Sequence, residues 1–218
     1  MIKIQPIVRE IILGEIEACF ALTNGYMNMS SYAHRIKPQV EGLAKKQVTI
    51  TSLVVSLSRL KKEFKKIKPL IHDVAIKNIS TKLPLSETTY ENSEKFIKEL
   101  ESLHKNISVS QEDFFTTTIG TREIDIICSS NLESKVLKHF KIKPKITNHH
   151  LAAVGVSFGS EVFGTPNVFF SLLSVTARAR INIEELVSTP TEFIFIVAEK
   201  DFGRTVALFS ELHREVNR

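Results

Sequence analysis

The sequence predicts an α+β protein in which a helical N-terminal part precedes two modules that each combine a sheet with helices. Three observations predict this class. Apolar residues recur at helical spacing through the first 68 residues, the spacing changes after residue 72, and one order of strands and helices then occurs twice. A chain of 218 residues exceeds the usual size of one domain, so we expect three segments, residues 1–68, 69–150 and 151–218.

Composition places the chain among ordinary globular proteins, since 43% of its residues are apolar and 24% are charged. Lys3, Arg9 and Glu10 interrupt the first apolar segment, which is unlike a signal peptide, and the apolar runs are far shorter than a membrane span. We therefore expect a cytoplasmic protein with no membrane contact. Cys19 and Cys128 stand in apolar sequence and are expected to be buried thiols.

The first two predicted helices belong to the N-terminal segment. The first covers Ile7–Thr23, where apolar residues recur every three to five positions, and Gly25 is expected to end it. The second is expected to start at Ser30 or Ser31, because serine is a good N-cap. Pro38 lies inside the second helix and should kink or split it, because proline lacks the backbone N–H that a helix needs.

A third helix, with Thr49 or Thr51 as its N-cap, follows after a few residues around Gln47 and Val48. Two helices joined this closely are typical of a helix-turn-helix, in which this third helix would be the recognition helix. Hydroxyl and cationic side chains lie off its apolar stripe, and such groups contact phosphates and base edges. The predicted DNA-binding residues are Thr51, Ser52, Ser56, Arg59 and Lys62.

Positive charge is concentrated in the same segment. From Arg35 to Lys68 the chain has ten basic and two acidic residues, a net charge of +8, so the remainder carries −3 of the total of +5. A basic surface is what duplex DNA requires. A helical bundle that docks on another protein, or one that is purely structural, would show the same pattern, and both alternatives stay open.

The second segment changes to an alternation of strands and helices. It reads in order as a strand over Val74–Ile79, a helix over Tyr90–His104, an extended stretch over Ile107–Ile119, a strand over Glu123–Cys128, a helix capped by Asn131 and an extended stretch that Ile146 opens. This β-α-β-β-α-β order is that of the split βαβ, or ferredoxin-like, fold, in which helices cover one face of an antiparallel sheet.

The last segment repeats that order. It reads as a strand over Leu151–Ser157, a helix over Asn167–Ala179, strands over Ile183–Ser188 and Phe193–Ala198, and a helix that Asp201 caps. The final strand is lacking. Either this module has lost it, or a strand from the preceding module or from another chain completes the sheet.

Four runs of residues in the last segment resemble the ACT modules at the C-terminus of aspartate kinases. They are Val154-Gly155-Val156, Gly164-Thr165-Pro166-Asn167-Val168, Ala179-Arg180-Ile181-Asn182-Ile183 and Leu186-Val187-Ser188-Thr189. The resemblance covers about the last 68 residues. Residues 72–150 resemble a second, divergent ACT module by element order more than by sequence, and residues 1–68 do not resemble a kinase domain.

The resemblance implies a regulatory protein that binds a free amino acid, usually where two ACT modules meet, and that forms a homodimer or a higher homo-oligomer. In such modules the ligand lies against the loop between the first strand and first helix, and often against the start of the second strand. Small residues there allow close approach, and a helix N-terminus favours a carboxylate. The predicted ligand-binding residues are Ser157, Phe158, Gly159, Ser160, Gly164, Thr165, Pro166, Asn167, Val168, Asn182, Ile183 and Glu184.

Two features of the loop depart from the family pattern. Asn167 stands where many members have glycine, and the stretch Phe158–Phe163 is longer, so the resemblance does not name the amino acid. Asparagine tolerates left-handed backbone, which keeps the loop feasible. The alternative, in which the glycines only turn the chain and the modules only dimerise, stays open.

No catalytic motif is found in the sequence: it has no G-x-S-x-G elbow, P-loop, dinucleotide fingerprint or H-E-x-x-H. His149 and His150 are neighbours in an extended stretch, so they should point to opposite faces and not share a metal ion. Glu123 and Asp125 are expected on the exposed face of an alternating strand. We therefore expect a non-catalytic protein without cofactor or metal.

Two functional hypotheses follow. In the first, the protein is a ligand-responsive transcriptional regulator, in which an amino acid at a module interface changes the separation of two recognition helices. This is similar in logic, not in sequence, to the leucine-responsive regulators. In the second, it is a regulatory ACT protein that docks on an amino-acid biosynthetic enzyme through its N-terminal bundle. A scaffold that binds no ligand is a third possibility.

Overall fold

The computed structural model describes residues 3–66, 74–162 and 164–216. It consists of two compact units, residues 1–72 and residues 73–218. The predicted boundary between residues 68 and 69, and Phe163 of the predicted loop, lie outside the described residues. Within the described part of the chain, no helix combines the length and the apolar character that crossing a membrane requires.

The N-terminal unit, over residues 3–66, consists of four helices around one apolar core. They are α1 Ile4–Leu13, α2 Ile16–Asn24, α3 Met29–Ala44 and α4 Ile50–Phe64. All four contribute buried side chains, among them Ile12, Leu22, Ile36 and Leu57. Burial of one such side chain is worth about 1.5–3 kcal/mol, so this shared core holds the short helices together.

The prediction of one helix over Ile7–Thr23 is wrong, because the chain leaves the helix between α1 and α2. Gly14, a poor helix former, ends α1, and Glu15 adopts extended backbone with φ −121° and ψ 99°. The Glu15 carboxylate then accepts a hydrogen bond from the hydroxyl of Tyr32 in α3 at 3.1 Å. The break therefore places a side chain that ties α2 to α3.

The N-caps follow the predicted residue types but not always the predicted residues. Asn28, and neither predicted serine, caps α3, since its side chain accepts the N–H of Ser31 at 3.0 Å. Thr49 caps α4 as predicted and accepts the N–H of Ser52 at 3.2 Å. Pro38 does not split α3, which continues as one helix to Ala44.

The C-terminal unit contains six strands in one antiparallel sheet. Its elements in chain order are β1 Ile76–Glu91, α5 Glu94–Asn106, β2 Phe115–Ile119, β3 Glu123–Ser129, α6 Ser130–His139, β4 Ile146–Phe158, a 3₁₀ turn Ser160–Val162, α7 Val168–Arg178, β5 Glu185–Thr189, β6 Glu192–Ala198 and α8 Glu199–Val216. The strands lie in the order β2-β3-β1-β4-β6-β5. The α+β class and the ferredoxin-like modules are thereby confirmed.

The two central strands, β1 and β4, each serve both modules. The start of β1, Ile76–Lys82, pairs with the second half of β4, whereas Leu85–Glu91 pairs with β3 and with the start of β4. In a ferredoxin-like sheet the last strand lies beside the first. The start of β1 therefore fills the place of the final strand that the C-terminal module lacks, and the start of β4 does the same for the other module.

Three predicted helix starts are wrong. Tyr90 lies in β1, not in a helix, and α5 begins at Glu94. Asn131 does not cap α6 but lies within it, and its amide donates to Asp113 at 2.9 Å. Asp201 lies within α8. In both modules the second helix follows its strand directly, so it starts one or two residues before the polar residue that the sequence suggested.

Each module has its own apolar core between sheet and helices. In the first module the rings of Tyr90, Phe96 and Phe140 lie with centroids 4.4–5.0 Å apart, and in the second Phe195 and Phe209 lie at 4.8 Å. Both cysteines are buried, as predicted, and burial raises the pKa of the Cys128 thiol to about 12. This thiol therefore stays protonated at neutral pH.

We predict that Gly155→Ala lowers the free energy of unfolding by about 1–2 kcal/mol, because Gly155 lies in β4 beneath a bond between the flanking strands. Ser80 of β1 donates to Glu192 of β6 at 3.1 Å, and a Cβ on Gly155 would overlap Ser80 Oγ and lie 2.6 Å from Glu192 Oε1. Urea unfolding of the full chain measures the loss.

The control for this prediction is Gly203→Ala in α8, where a Cβ meets no atom within 4 Å and should stabilise the helix by about 0.5–1 kcal/mol. Combined with Ser80→Ala, Gly155→Ala should cost less than it does alone, because one of the two overlapping atoms is removed. An equal cost in both backgrounds would contradict this account.

Candidate functional site

The loop that follows β4 holds most of the predicted ligand-binding residues. It makes a 3₁₀ turn at Ser160–Val162 and then passes through Gly164 and Asn167, whose φ angles are 65° and 67°. Glycine adopts this left-handed conformation without strain, and asparagine tolerates it better than most residues. The asparagine at position 167 is therefore compatible with the loop turning into α7.

Within the described part of the chain, α7 begins without a side-chain cap from its N-cap residue. The Asn167 side chain makes no bond to the first turn, and its carbonyl accepts the N–H and the hydroxyl of Ser171 at 2.8 and 2.9 Å. The first turn of α7 also contains no acidic residue. The N–H groups at the start of a helix carry partial positive charge and favour an anion such as a carboxylate.

Some predicted ligand-binding side chains face the core and others face solvent. Phe158 and Val168 are each 5% exposed, and Ile183 packs against the same apolar cluster. The side chains of Phe158 and Val168 are thus taken up by the core, whereas that of Ile183 is half-buried and partly accessible. Of the others, Ser157 and Thr165 are half-buried, Gly159 is buried, and the exposed members of the loop are Ser160, Gly164, Pro166 and Asn167.

The residues just before β5, Asn182–Glu184, were also predicted to contact the ligand. They lie further back along β4, away from the end of β4 where the loop begins. Glu184 donates its N–H to the carbonyl of Ile196 at 2.8 Å, and Ile196 pairs with Ala153 of β4. Ala153 is four residues before Ser157, which corresponds to roughly 13 Å along a strand. One amino acid cannot span that distance, so contact with both segments would need a second module or a second copy of the chain.

The corresponding turn of the first module, between β1 and α5, is short and closed. Ser93 caps α5 and accepts the N–H of Phe96 at 3.2 Å. Asn92 donates its side-chain amide to the carbonyl of Gly120 at 2.7 Å and its backbone N–H to that of Arg122 at 2.9 Å. The turn that would hold a ligand in this module is thus occupied by the protein's own groups.

The predicted DNA-binding residues lie on α4, and three of them are exposed: Thr51, Arg59 and Lys62. Ser52 is half-buried. The assignment of Ser56 is wrong, because its side chain is buried and its hydroxyl donates to the carbonyl of Ser52 at 2.9 Å. Ser56 lies on the border of the apolar stripe, and helical spacing alone does not decide whether such a residue faces the core or the solvent.

Val55 and Ser58 also lie on the exposed face of α4. Val55 is 45% exposed and Ser58 is exposed, and both follow Thr51 at the spacing that places residues on one side of a helix. The sequence prediction omitted Val55 because it is apolar.

The histidine pair binds two different carboxylates. Nδ1 of His149 lies 3.3 Å from Glu133 of α6, and Nδ1 of His150 lies 3.3 Å from Glu199 of α8. Among the described residues, no group of three or more His, Cys, Asp and Glu side chains is placed to hold a metal ion.

Two clefts were not predicted from the sequence. One, of about 470 Å³, lies beside Glu15, Tyr32 and Arg35. Arg35 forms an ion pair with Glu15, and burial together with the Glu15 charge raises the pKa of Tyr32 to about 12. These three groups satisfy one another, so they are well explained as a tie between α2 and α3. The other cleft, of about 490 Å³, is lined by residues of α5, among them Lys98, and by Lys141 just after the end of α6.

Comparison with solved structures relates the fold to aspartate kinases. An aspartate kinase of Clostridium acetobutylicum matches with a TM-score of 0.54 and 15% identity over 66% of this chain, and this chain spans 36% of that enzyme. The regulatory subunits of aspartate kinase from Thermus thermophilus and Thermus flavus match with TM-scores of 0.51 and 0.52 and identities of 13% and 12%. These matches cover 64% and 63% of this chain and 97% and 98% of the two subunits.

No protein-family model and no curated protein matches the chain. The structural matches cover a share of the chain close to that of residues 73–218, and at such identities they concern the fold alone. The C-terminal unit has the ACT fold of the regulatory part of aspartate kinases, as the four sequence runs indicated.

Proposed function

We propose that the protein is a non-catalytic regulator that senses a free amino acid through the loop between β4 and α7. The observation that carries this proposal is the junction of an exposed glycine-containing loop with an uncapped helix N-terminus. Its place in the fold supports the proposal, because the same fold forms the regulatory subunits of the Thermus aspartate kinases. The ligand's carboxylate would accept hydrogen bonds from the first turn of α7.

The proposed stoichiometry is one amino acid per chain. The two modules share an element order, but only the second has an open turn before its first helix. In the first module Ser93 already occupies the N-terminus of α5, and Asn92 bridges to the turn after β2. A ligand there would have to displace these bonds without an obvious compensating contact.

We predict that one of the common free amino acids raises the melting temperature of the full chain and that Asn167→Asp weakens its binding at least tenfold. Aspartate also tolerates the left-handed backbone at this position, so the loop should keep its shape. Its charge would repel the ligand's carboxylate at the start of α7. A ligand at a hundred times its Kd stabilises a protein by about 2.7 kcal/mol, which a thermal-shift panel detects.

Asn106→Asp adds the same charge at the C-terminal end of α5 and should leave the affinity unchanged. Calorimetric titration should give one site per chain. No thermal shift with any amino acid would remove the sensing function, whereas two equal sites per chain would remove only the proposed stoichiometry.

For the output of sensing we propose binding to duplex DNA through the exposed face of α4. Arg59 and Lys62 lie on this face together with hydroxyl groups, and the segment around it is strongly basic. The two acidic residues of that segment, Glu41 and Glu63, form ion pairs with Lys37 at 3.7 Å and Arg9 at 3.2 Å. Their charges are thus partly compensated near the cationic face.

We predict that the full chain binds duplex DNA at low salt and that Arg59→Ala with Lys62→Ala reduces both the affinity and its salt dependence. Each lost phosphate contact should lower the slope of log K against log salt by about 0.9. Fluorescence anisotropy with a labelled duplex measures both quantities.

The control replaces two exposed lysines of α5, Lys95 and Lys98, by alanine, which removes the same charge from the other unit. If the wild-type chain ignores DNA at low salt, the transcriptional role is excluded and docking on a biosynthetic enzyme becomes the output to test. The amino-acid panel above is unaffected by this result.

A further inference from the structure

The two edge strands of the C-terminal sheet meet each other. β2 and β5 are first and last in the strand order, so in a flat sheet five strand spacings would separate them by about 24 Å. Instead the hydroxyl of Thr118 in β2 donates to Oε1 of Glu185 in β5 at 2.8 Å. The sheet therefore curls until its edges touch. An apolar cluster fills the bend on the face that carries no helices, and its members are Leu85, Ile127, Leu151, Ala153 and Ile196.

Three carboxyl groups share that helix-free face with the contact. Strand register sets Glu87 and Glu185 each opposite a member of the apolar cluster, and Asp125 directly opposite Thr118. Glu87, Asp125 and Glu185 are all half-buried, although alternation alone predicted Asp125 to be exposed. Pairing of β1 with β3 brings Glu87 near Asp125, and the curl of the sheet then brings Glu185 of β5 to both.

The surroundings of Glu87 disfavour its charged form. Burial is the main cause that raises the pKa of Glu87, and the negative charges of Asp125, Glu185 and Glu184 raise it further. The amide of Asn148 in β4 opposes this weakly, with a hydrogen bond of 3.5 Å. Charged groups from β1, β3 and β5 thus repel one another at the place where the edges meet.

The surroundings of Glu185, which accepts the hydrogen bond from Thr118, also disfavour its charged form. Burial raises its pKa and the charge of Asp125 adds to this, while the Thr118 hydrogen bond lowers it. A carboxyl group whose pKa is raised on folding binds its proton more tightly in the folded state. The charged forms therefore destabilise the closed sheet above the folded pKa values, and this penalty disappears below the ordinary pKa of about 4.3.

We propose that the Thr118–Glu185 contact is a latch between the two ACT modules that tightens when the neighbouring Glu87 takes up a proton. The latch lies in the chain itself and needs no ligand. The tests below use the protein without any amino acid, so they stand apart from the sensing hypothesis.

The first test replaces single carboxyl groups by amides. We expect Glu87→Gln to raise the melting temperature of the full chain by about 2–4 °C at pH 8, and this gain to vanish near pH 3.5, below the ordinary pKa of a glutamate of about 4.3. Glu185→Gln should behave alike, since its amide oxygen still accepts from Thr118. Glu101→Gln, at an exposed position of α5, should give no pH-dependent difference. A gain for Glu87→Gln that is absent at pH 8, or equal at both pH values, would overturn the proposal.

The second test separates a latch from a general effect on stability. Thr118→Val keeps the shape of the side chain and removes the hydroxyl that bonds Glu185. We expect faster amide hydrogen exchange in β2 and β5 at pH 8, with exchange in β1 and β4 unchanged. Exchange that rises evenly through the C-terminal unit, or that does not rise in β2 and β5, would refute the latch.

Discussion

The pairing of β1 with β4 is the constraint on which the rest of the C-terminal unit depends. Each strand completes the sheet of one module with its first half and opens the other module with its second half. If β1 and β4 were not shared in this way, both modules would expose an edge of unpaired backbone N–H and C=O groups, which costs free energy. We therefore expect the two modules to fold together, and a change in one module to affect the two strands that both modules share.

Shared strands also explain how two similar modules can differ in role. The two shared strands hold the arrangement of the sheet, and the turns between strands and helices can therefore differ between the modules. In the first module the turn before α5 is shut by Asn92 and Ser93, and in the second it is open around Asn167. The proposed ligand site therefore lies in the second module, while the first module supplies the start of β1 to its sheet and carries Glu87 and Asp125.

Positive and negative charges are concentrated in different parts of the chain. The segment from Arg35 to Lys68 carries +8, while the helix-free face of the C-terminal unit gathers Glu87, Asp125 and Glu185. The first is the basis of the proposed contact with duplex DNA. The second is an internal repulsion, and the Thr118 hydroxyl moderates it by donating to one carboxylate.

Much of the local structure could be read from the sequence, because it depends on residues close together along the chain. The spacing of apolar residues predicted α4 and its cap Thr49, and the left-handed tolerance of Asn167 allowed the loop. What only the tertiary structure decided involves partners far apart. Ser56 turned inward to the carbonyl of its own helix because the core lies beside it, and Glu15 left the helix to reach Tyr32 of α3.

The same distinction applies to the sheet and to the candidate site. The sequence determined the element order and the ACT resemblance, but left open which strand completes the last module. That answer required the pairing of Ile76–Lys82 with residues about seventy to eighty positions away, and such pairing depends on the whole fold and not on local propensity. For the same reason Phe158 and Val168 proved to be core residues, and Glu185 became a neighbour of Glu87 and Asp125 only once the sheet had curled.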